Sequence, residues 1–381
     1  MDLGDFMIKR YYENLEEYLK PNKALIILGP RRVGKTTLLK NFLKKTKLQY
    51  ILDYGENLST QRILSSQDFP QILEYARGYE LIAIDEAQQI ANIGMGLKIL
   101  IDQVEGLSII ATGSSSFDLS QQIGEPLTGR KKTLILYPIS QMELSEIYNR
   151  YELKQKLEEF LIFGSYPEVI SSNNKNEKID LLNEIINSYL FKDILALDNI
   201  KSSKTLLNLV KLLAFQIGQL VSLNELATQL GIDVKTVARY IDLLEKSFVI
   251  QSLGGFSRNL RNEVTSKQKY YFLDLGIRNA VISQFNPLDT RNDVGQLWEN
   301  FIFIERQKKN SYTGFYGRTY FWRTYQGQEI DFVEDIENHL TGFEAKWSET
   351  KKVNEPSIWK ETYSNSSFKV ITPENYLDFI L

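Results

Sequence analysis

Short apolar runs alternate with polar or helically spaced segments through the first 140 residues of the chain. Runs of this kind, with few polar side chains, are typical of strands buried on both faces of a parallel sheet. Helical spacing at residues 9–19 predicts a helix before the first strand, whereas residues 55–78 have only weak helical spacing. The pattern therefore predicts an α/β domain with strands at residues 24–28, 48–53, 81–84, 107–114 and 133–136.

The link between the first predicted strand and the next helix reads Gly-Pro-Arg-Arg-Val-Gly-Lys-Thr. This is G-x-x-x-x-G-K-T between a strand and a helix, the arrangement of a phosphate-binding loop. Its glycines allow backbone N–H groups to approach phosphate oxygens, and the helix N-terminus favours negative charge. Lys35 is expected to reach the β- and γ-phosphates, and the Thr36 hydroxyl to ligate Mg²⁺. The nucleotide-binding candidates are Gly29, Pro30, Arg31, Arg32, Val33, Gly34, Lys35, Thr36 and Thr37.

Two acidic residues, Asp85 and Glu86, follow the third apolar run. An apolar strand that ends in Asp-Glu is common, but downstream of a phosphate-binding loop it is typical of a nucleoside triphosphatase. Asp85 is expected to support the Mg²⁺ ion, and Glu86 to polarise the water that attacks the γ-phosphate.

The fourth and fifth predicted strands supply further candidates. Ser114, with Thr112 as the reserve, ends the fourth strand and would present a hydroxyl to the γ-phosphate. Arg130 precedes the fifth strand and is either an ordinary surface arginine or a nucleotide sensor, in its own chain or in a neighbouring subunit. No N/T-K-x-D motif for guanine is visible, so the pattern favours ATP over GTP.

The composition limits the chemistry. At 381 residues the chain exceeds one typical core, so two or three domains are expected. It has no cysteine and one histidine, His339, which excludes thiolate zinc sites, cysteine nucleophiles and histidine-based triads. Any metal must then have oxygen ligands, which indicates Mg²⁺ or Mn²⁺. The lack of a membrane-length apolar run and an acidic N-terminus that does not suit a signal peptide predict a cytoplasmic protein.

An ordered set of motifs carries a family resemblance over nearly the whole chain. The chain resembles prokaryotic AAA-superfamily ATPases that carry a C-terminal domain of unknown function. The resemblance implies an AAA-type sheet, a small helical region, a winged helix and a restriction-endonuclease-like C-terminal domain. The motifs are GPRRVGKTT, LIAIDEAQ, ATGSSS, LTGR…YPIS, FGSYPEV at 163–169 and YLFKDIL at 189–195.

The middle of the chain is predicted to be helical. Residues 141–196 have helical spacing and are interpreted as the lid of the ATPase. Ser222 opens a short helix through a capping box, a Gly231-containing turn follows, and Asp233 caps a second helix at 234–246. Helix, turn and helix, followed by strands near 248–253 and 270–273, predict a winged helix-turn-helix.

The predicted second helix of this motif carries candidate DNA contacts. Lys235, Thr236 and Arg239 lie opposite its buried face, where they would reach base edges or phosphates in a major groove. Residues 201–270 hold ten Lys/Arg and five Asp/Glu, a charge of +5 in a chain of −3. This predicts DNA as a partner, although solvated basic residues on a helix are also ordinary.

The C-terminal 101 residues contain a D…E-x-K pattern on predicted strands. Glu344 and Lys346 share a strand face, and Asp331 lies on the neighbouring strand. This is the active-site pattern of the restriction-endonuclease-like fold, in which carboxylates bind Mg²⁺. Glu299, on a helix, would complete the metal shell and Lys346 would assist the attacking water; Gln328 and Arg323 would touch phosphate. A plain Glu–Lys pair on an exposed strand remains the alternative.

These observations predict four domains: an ATPase core at 1–140, a helical lid at 141–200, a winged helix at 201–280 and a restriction-endonuclease-like domain at 281–381. The leading hypothesis is an ATPase with Mg²⁺ as cofactor, whose nucleotide state controls both the winged-helix DNA-binding module and the restriction-endonuclease-like domain. The alternatives are an ATP-gated switch with a non-catalytic C-terminal docking module, and an ATP-gated Mg²⁺ nuclease. A protein partner or a second copy of the chain is left open.

Overall fold

The computed structural model describes residues 8–114, 124, 126–188, 202–256, 267–324, 326–348, 353–363 and 365–381. The chain divides into two compact units. The first unit comprises Lys9–Pro138 with Lys246–Phe248, and the second comprises Ile139–Glu245 and Val249–Leu381. Among the described residues, no helix is both long and apolar enough to cross a membrane.

The first unit is built on a five-stranded parallel sheet in the order β2-β3-β4-β1-β5. The sheet confirms the predicted parallel α/β domain, with strand ends shifted by one or two residues. Its strands are β1 (Lys23–Leu28), β2 (Tyr50–Tyr54), β3 (Leu81–Asp85), β4 (Ser108–Gly113) and β5 (Lys131–Ile135).

The helices of the first unit pack their apolar sides on this sheet. Ile26, Ile84, Ile109 and Leu97 belong to one buried cluster and have no exposed surface. Burial of several such side chains, at roughly 1.5–3 kcal/mol each, holds the unit together. The helices are α1 (Lys35–Leu43), α2 (Leu58–Ser65), α3 (Phe69–Tyr75) and α4 (Ile93–Gln103).

The predicted helix at residues 9–19 is wrong. Only a 3₁₀ turn at Leu15–Tyr18 forms there, although Tyr12 and Leu15 are buried as the spacing suggested. The reason is tertiary, because the Arg10 guanidinium donates to the main-chain carbonyls of Val33 and Tyr137 and holds the segment against the loop after β1.

The second unit begins with short helices and continues into a small antiparallel sheet. Its first helices are α5 (Gln141–Leu144), α6 (Arg150–Gln155), α7 (Leu157–Phe163), α8 (Pro167–Ser171) and α9 (Lys175–Ile185). They belong to the same unit as the C-terminal half of the chain, and their action as a lid stays a prediction. The motif at 189–195 lies outside the described residues.

Three helices and three strands follow in the order helix, strand, helix, helix, strand, strand. The sheet order is β6-β8-β7, with both pairings antiparallel. The bounds are α10 (Ser203–Phe215), β6 (Leu220–Val221), α11 (Leu223–Leu230), α12 (Val234–Lys246), β7 (Ile250–Leu253) and β8 (Gln268–Phe272).

The rest of the second unit is a long helix on a four-stranded mixed sheet in the order β12-β11-β10-β9. Only β11 and β12 are parallel. Trp298 and Trp359 are fully buried in this part of the unit. The elements are α13 (Leu275–Val281), α14 (Val294–Thr313), β9 (Arg318–Arg323), β10 (Glu329–Ile336), β11 (His339–Ala345), α15 (Ser357–Thr362), β12 (Ser366–Ile371) and α16 (Tyr376–Ile380).

Candidate functional site

The loop between β1 and α1 has the backbone that a phosphate cradle needs. A Cβ on Gly29 would lie 2.1 Å from the Leu136 carbonyl oxygen, so only glycine fits where β1 ends beside the chain that leaves β5. Gly34, with φ of +95°, caps α1, and Arg32 also has a left-handed backbone with φ of +61°. Pro30 and Val33 are buried, Arg31 is half-buried, and Thr37 is exposed on α1. The predicted loop residues thus surround the N-terminus of α1.

The ammonium of Lys35 is held inside its own loop. Only 4% of the residue is exposed, and Nζ donates to the carbonyl oxygens of Gly29 and Pro30, both at 2.9 Å. Burial lowers the pKa of Lys35 to about 8, although the carboxylates of Glu86 and Asp85 act in the opposite direction. A phosphate would give this desolvated cation the counter-charge that it lacks.

Two hydroxyl groups hold Asp85 at the carboxyl end of β3. Thr36 Oγ1 donates to Oδ2 at 2.7 Å, and Thr112 Oγ1 donates to Oδ1 at 2.5 Å. A hydroxyl and a carboxylate in contact beside a phosphate loop are the oxygen donors that Mg²⁺ prefers, so Thr36 and Asp85 fit the predicted ion. Thr112 is occupied with Asp85, which leaves Ser114 as the hydroxyl candidate for the γ-phosphate.

Glu86 is fixed at both its backbone and its side chain. Its φ of +52° is uncommon for a residue other than glycine and is the kind of strain found at functional sites. Its N–H donates to Thr112 Oγ1 at 3.0 Å. Its carboxylate accepts a hydrogen bond from Gln88 Nε2 at 2.5 Å, and the same nitrogen lies 3.0 Å from Ser114 Oγ. Gln88 thus joins two predicted residues.

Gln88 and Arg10 are site residues that the sequence reasoning missed. The signal for Gln88 was its place in the Asp-Glu-Ala-Gln stretch, two residues after the predicted catalytic acid. Arg10 had no comparable signal. It lies 23 residues before its contact at the Val33 carbonyl, and only the fold brings it to the phosphate loop.

The structure contradicts a role for Arg130 at the nucleotide of its own chain. Arg130 precedes β5, and its carbonyl accepts from the N–H of Ala24 near the start of β1. The phosphate loop follows the other end of β1, roughly 15 Å away at about 3.3 Å per residue. The Arg130 guanidinium instead pairs with Asp102 at 2.7 Å. A role in a neighbouring subunit stays a prediction.

The candidate DNA residues on α12 differ in their exposure and in their contacts. Lys235 and Arg239 are exposed, and the Arg239 guanidinium lies 5.5 Å from the centre of the Tyr240 ring. Thr236 Oγ1 donates to Asp233 at 2.6 Å, and Asp233 also accepts the Thr236 N–H at 2.8 Å. Asp233 therefore caps the helix as predicted, whereas the Thr236 hydroxyl is engaged in the cap.

The C-terminal candidates do converge in the second unit. Glu299 comes from α14, Asp331 from β10 and Glu344 from β11. Asp331 accepts the N–H of Ala345 at 2.9 Å, and Lys346 Nζ lies 2.7 Å from Glu344 Oε1. The D…E-x-K residues are thus close together, as the strand pattern predicted.

A lysine that the sequence reasoning did not single out occupies this centre. Lys269, on β8, is 1% exposed, and its Nζ lies 3.1 Å from Glu299, 2.6 Å from Glu329 and 3.6 Å from Asp331. Tyr271, on the same face of β8, donates to Glu299 at 2.6 Å. Lys269 and these carboxylates, with Glu344, are called the acidic centre below.

Burial and mutual repulsion raise the pKa values of the carboxyl groups here. Burial and the nearby Asp331 raise the pKa of Glu299 to about 8 and that of Glu344 to about 7. The pKa of Asp331 is also raised, chiefly by burial. Burial acts to lower the pKa of Lys269, but the Glu299, Asp331 and Glu329 carboxylates raise it above its ordinary value, so the lysine stays charged.

The predicted second metal site is not formed as a metal cage. Among the residues that the structure describes, no group of three His, Cys, Asp or Glu side chains is placed to hold a metal ion. The Lys269 ammonium lies within 3.6 Å of two of the predicted ligands, Glu299 and Asp331, where a metal ion would have to bind. The two predicted phosphate contacts are also engaged, because Arg323 pairs with Glu329 at 3.3 Å and Gln328 donates to Ser357 Oγ at 3.2 Å.

Three segments of the chain match family models. Residues 21–145 match a model described as "AAA domain". Residues 154–288 and 294–375 match two models described as domains of unknown function, DUF8612 and DUF4143. Together with the parallel sheet and the phosphate loop, the first match identifies an AAA-type P-loop domain in the first unit. The winged helix and the restriction-endonuclease-like fold stay predictions.

Relatives of this protein can be aligned over most of the chain. An uncharacterized protein of Methanocaldococcus jannaschii is 27% identical over 94% of this chain and 84% of its own length. An uncharacterized protein of Mycobacterium tuberculosis is 25% identical over 87% of this chain and 72% of its own. An uncharacterized protein of Haemophilus influenzae is 25% identical over 86% of this chain and 84% of its own length.

One solved structure is similar at a distance. It is the crystal structure of a signal transduction ATPase with numerous domains, with a tetratricopeptide repeat sensor, from Pyrococcus horikoshii. The sequences are 12% identical, the TM-score is 0.31, and the match covers 80% of this chain and 46% of that chain. A likeness this weak carries no argument about function.

Proposed function

We propose that the first unit binds and hydrolyses ATP. The observation that carries this proposal is the juxtaposition of Lys35, Thr36, Asp85 and Glu86 at the carboxyl ends of β1 and β3. Open α/β sheets bind ligands at that edge, and each residue type suits one part of phosphoryl transfer.

The roles follow from where each side chain lies. The Lys35 ammonium exchanges the carbonyls of Gly29 and Pro30 for phosphate oxygens, and Thr36 and Asp85 are the oxygen donors that would hold Mg²⁺. The ion, when bound, offsets charge on the phosphates. Glu86 orients the attacking water, while Ser114 donates to the γ-phosphate.

Steady-state phosphate release with Mg²⁺ and ATP tests this proposal. Lys35→Ala is expected to abolish binding or turnover, and Glu86→Gln to retain ATP with a rate at least about 100-fold lower, as expected for loss of a general base. The exposed residues Lys44 and Glu56 provide matched controls, Lys44→Ala and Glu56→Gln, which are expected to behave as wild type. ATP binding and turnover at wild-type levels in Lys35→Ala would contradict the assigned role.

We further propose that the predicted winged helix, residues 201–280, binds DNA. The support is the order of helices and strands, the antiparallel β6-β8-β7 sheet, and the exposure of Lys235 and Arg239 near the start of α12. In a helix-turn-helix the N-terminal part of the second helix contacts the major groove.

The salt dependence of DNA binding tests this second proposal. Lys235→Ala combined with Arg239→Ala is expected to reduce the slope of log K against log salt by about two, roughly one per lost phosphate contact. Lys211→Ala, at an exposed lysine of α10, is the control and should leave the slope unchanged. An unchanged slope in the double variant would remove α12 from the interface.

A nucleotide-gated switch with a non-catalytic C-terminal domain is the second candidate function. The observation that favours it is Lys269, which fills the centre where a nuclease would need its metal. DNA-stimulated multiple turnover would support the ATPase as the working activity, whereas slow, near-stoichiometric turnover would support the switch. Native mass measured in the same samples tests for a neighbouring subunit that Arg130 could serve.

A further inference from the structure

The acidic centre contains a buried internal cation. The Lys269 side chain is 1% exposed and reaches three carboxylates from two different elements, α14 and β10. The centre of the Phe321 ring lies 5.7 Å from the same ammonium. A charge that has lost its water in this way must be compensated locally, and here the carboxylates compensate it.

The strand that carries Lys269 supplies a second donor to the same space. Tyr271 is fully buried and donates to Glu299 Oε1, the oxygen that also lies 3.1 Å from Lys269. Residues two apart on a strand share a face, so β8 presents an ammonium and a hydroxyl side by side. Oε1 of Glu299 thus has two partners on β8.

Lys269 is the buried cation among the charges of the acidic centre. Four carboxylates, Glu299, Glu329, Asp331 and Glu344, lie near three cations, Lys269, Lys346 and Arg323. Lys346 and Arg323 are 42% and 43% exposed at their side chains, whereas Lys269 is buried. Glu344 Oε2 is buried and has no hydrogen-bond partner among the residues that the structure describes. Of these three cations, Lys269 is therefore the one that occupies the interior of the cluster.

We propose that Lys269 is the resident cation of the acidic centre and excludes divalent cations from it, so that removing its ammonium creates a divalent-cation site. Glu299, Asp331 and Glu344 would be the ligands of that site. The Lys269 ammonium is tethered through β8, so its effective concentration at the carboxylates is high. A divalent cation that entered the centre would be repelled by this ammonium. The inference does not depend on ATP hydrolysis or on DNA binding.

Binding of Mn²⁺ alone to the full-length protein, without nucleotide, tests this inference. Titration calorimetry and the electron paramagnetic resonance signal of free Mn²⁺ both report the number of sites. The wild type is expected to bind no Mn²⁺ at the acidic centre below millimolar concentration. Lys269→Met replaces the ammonium by an uncharged side chain of similar size. It is expected to bind one Mn²⁺ at least about 100-fold more tightly than wild type, because the carboxylates lose their buried cation.

Three further variants make the result specific. Lys269→Met combined with Asp331→Asn should lose the new site, because a ligand is removed. Lys346→Met deletes an ammonium at the exposed rim and should bind Mn²⁺ as weakly as wild type. Lys269→Arg keeps the positive charge and should also gain no Mn²⁺ site. A folded Lys269→Met that gains no site would overturn the inference, and so would a wild-type Mn²⁺ site that Asp331→Asn removes.

A labelling experiment on the wild type decides the question if Lys269→Met does not fold. Lys269 should resist an amine-acylating reagent, as read by peptide mass spectrometry, and 10-fold more Mn²⁺ than protein should leave its labelling unchanged. Exposed Lys211 and Lys235 are internal controls for reagent activity. Labelling of Lys269 that rises with Mn²⁺ would mean that the ion displaces the ammonium, and the inference would fail.

Discussion

Individual side chains in the first unit are arranged so that a phosphate would relieve unfavourable burial. Lys35 is desolvated, its ammonium donates to carbonyl oxygens of its own loop, and its pKa falls to about 8. Thr36 and Thr112 hold Asp85, while Gln88 holds Glu86. The residues that meet the ligand are therefore preorganised by hydrogen bonds to other polar groups of the unit.

ATP affinity is predicted to fall as the pH rises above about 8. The pKa of Lys35 is about 8 in the free protein, and phosphate oxygens would raise it. Below pH 8 the ammonium is charged before and after binding, so affinity is constant; above it, binding must take up a proton, which costs up to about tenfold per pH unit.

Nucleotide titrations from pH 7 to 9.5 measure this effect, and calorimetry in buffers of different ionisation enthalpy measures the proton uptake directly. Lys44→Ala should show the same pH dependence as wild type. An affinity that stays constant to pH 9.5, with no proton uptake, would show that Lys35 is already fully charged in the free protein.

Replacing Gln88 by Ala is predicted to lower kcat on the order of tenfold while KM for ATP changes less than about twofold, since orientation of the catalytic acid is lost but the phosphate loop is untouched. Gln88→Glu should lower kcat further because it places a like charge beside Glu86. Phosphate-release kinetics measure both. A rise in KM with an unchanged kcat would instead make Gln88 a substrate contact.

At the scale of elements, the register of parallel strands decides which residues meet. Leu28 pairs with Ile135 and Ala24 with Lys131, so β1 and β5 begin at one edge of the sheet and end at the other. Asp85 and the phosphate loop lie at the carboxyl ends, and Arg130 lies at the amino end. The spacing of motifs along the chain does not indicate at which edge of the sheet each residue lies.

Arg130→Ala is predicted to leave ATP affinity within about twofold of wild type at protein concentrations where the chain is monomeric. The variant loses only a half-exposed ion pair with Asp102, which is worth roughly 0–1 kcal/mol. Equilibrium nucleotide binding measures the affinity, and Asp102→Ala is the matched variant. A large loss of affinity in the monomer would require Arg130 to reach the loop, which the register excludes.

At the scale of the whole molecule, the chain consists of two compact units. Each has its own buried core, with aliphatic side chains around the parallel sheet and tryptophans at the C-terminal sheet. Units with separate cores commonly unfold as separate transitions.

Scanning calorimetry is therefore predicted to resolve two unfolding transitions. Mg²⁺-ATP is expected to raise the midpoint temperature of only one of them. A ligand at 100 times its Kd adds about 2.7 kcal/mol to the stability of the unit that binds it. Lys35→Ala should keep both transitions and lose the shift. A single cooperative transition that moves as a whole with ATP would show that the units are coupled.

Much of the first unit could be predicted because its signals are local. The phosphate loop, the strand before it and the Asp85-Glu86 pair depend on residue types within a few positions of one another, and the structure places each at the predicted end of its strand. The failed helix at 9–19 is the instructive exception, since Arg10 takes its partners from distant parts of the chain.

The sequence by itself determined the parallel sheet, its phosphate loop and the approach of Asp331 to Glu344, because periodicity and strand ends follow from neighbouring residues. Only the tertiary structure decided that Arg130 lies at the far edge of the sheet, that Gln88 holds Glu86, and that Lys269 enters the acidic centre. Lys269 is 30 residues from Glu299 and 60 from Glu329. A short-range sequence pattern cannot predict these contacts, because they form only when separate elements pack together.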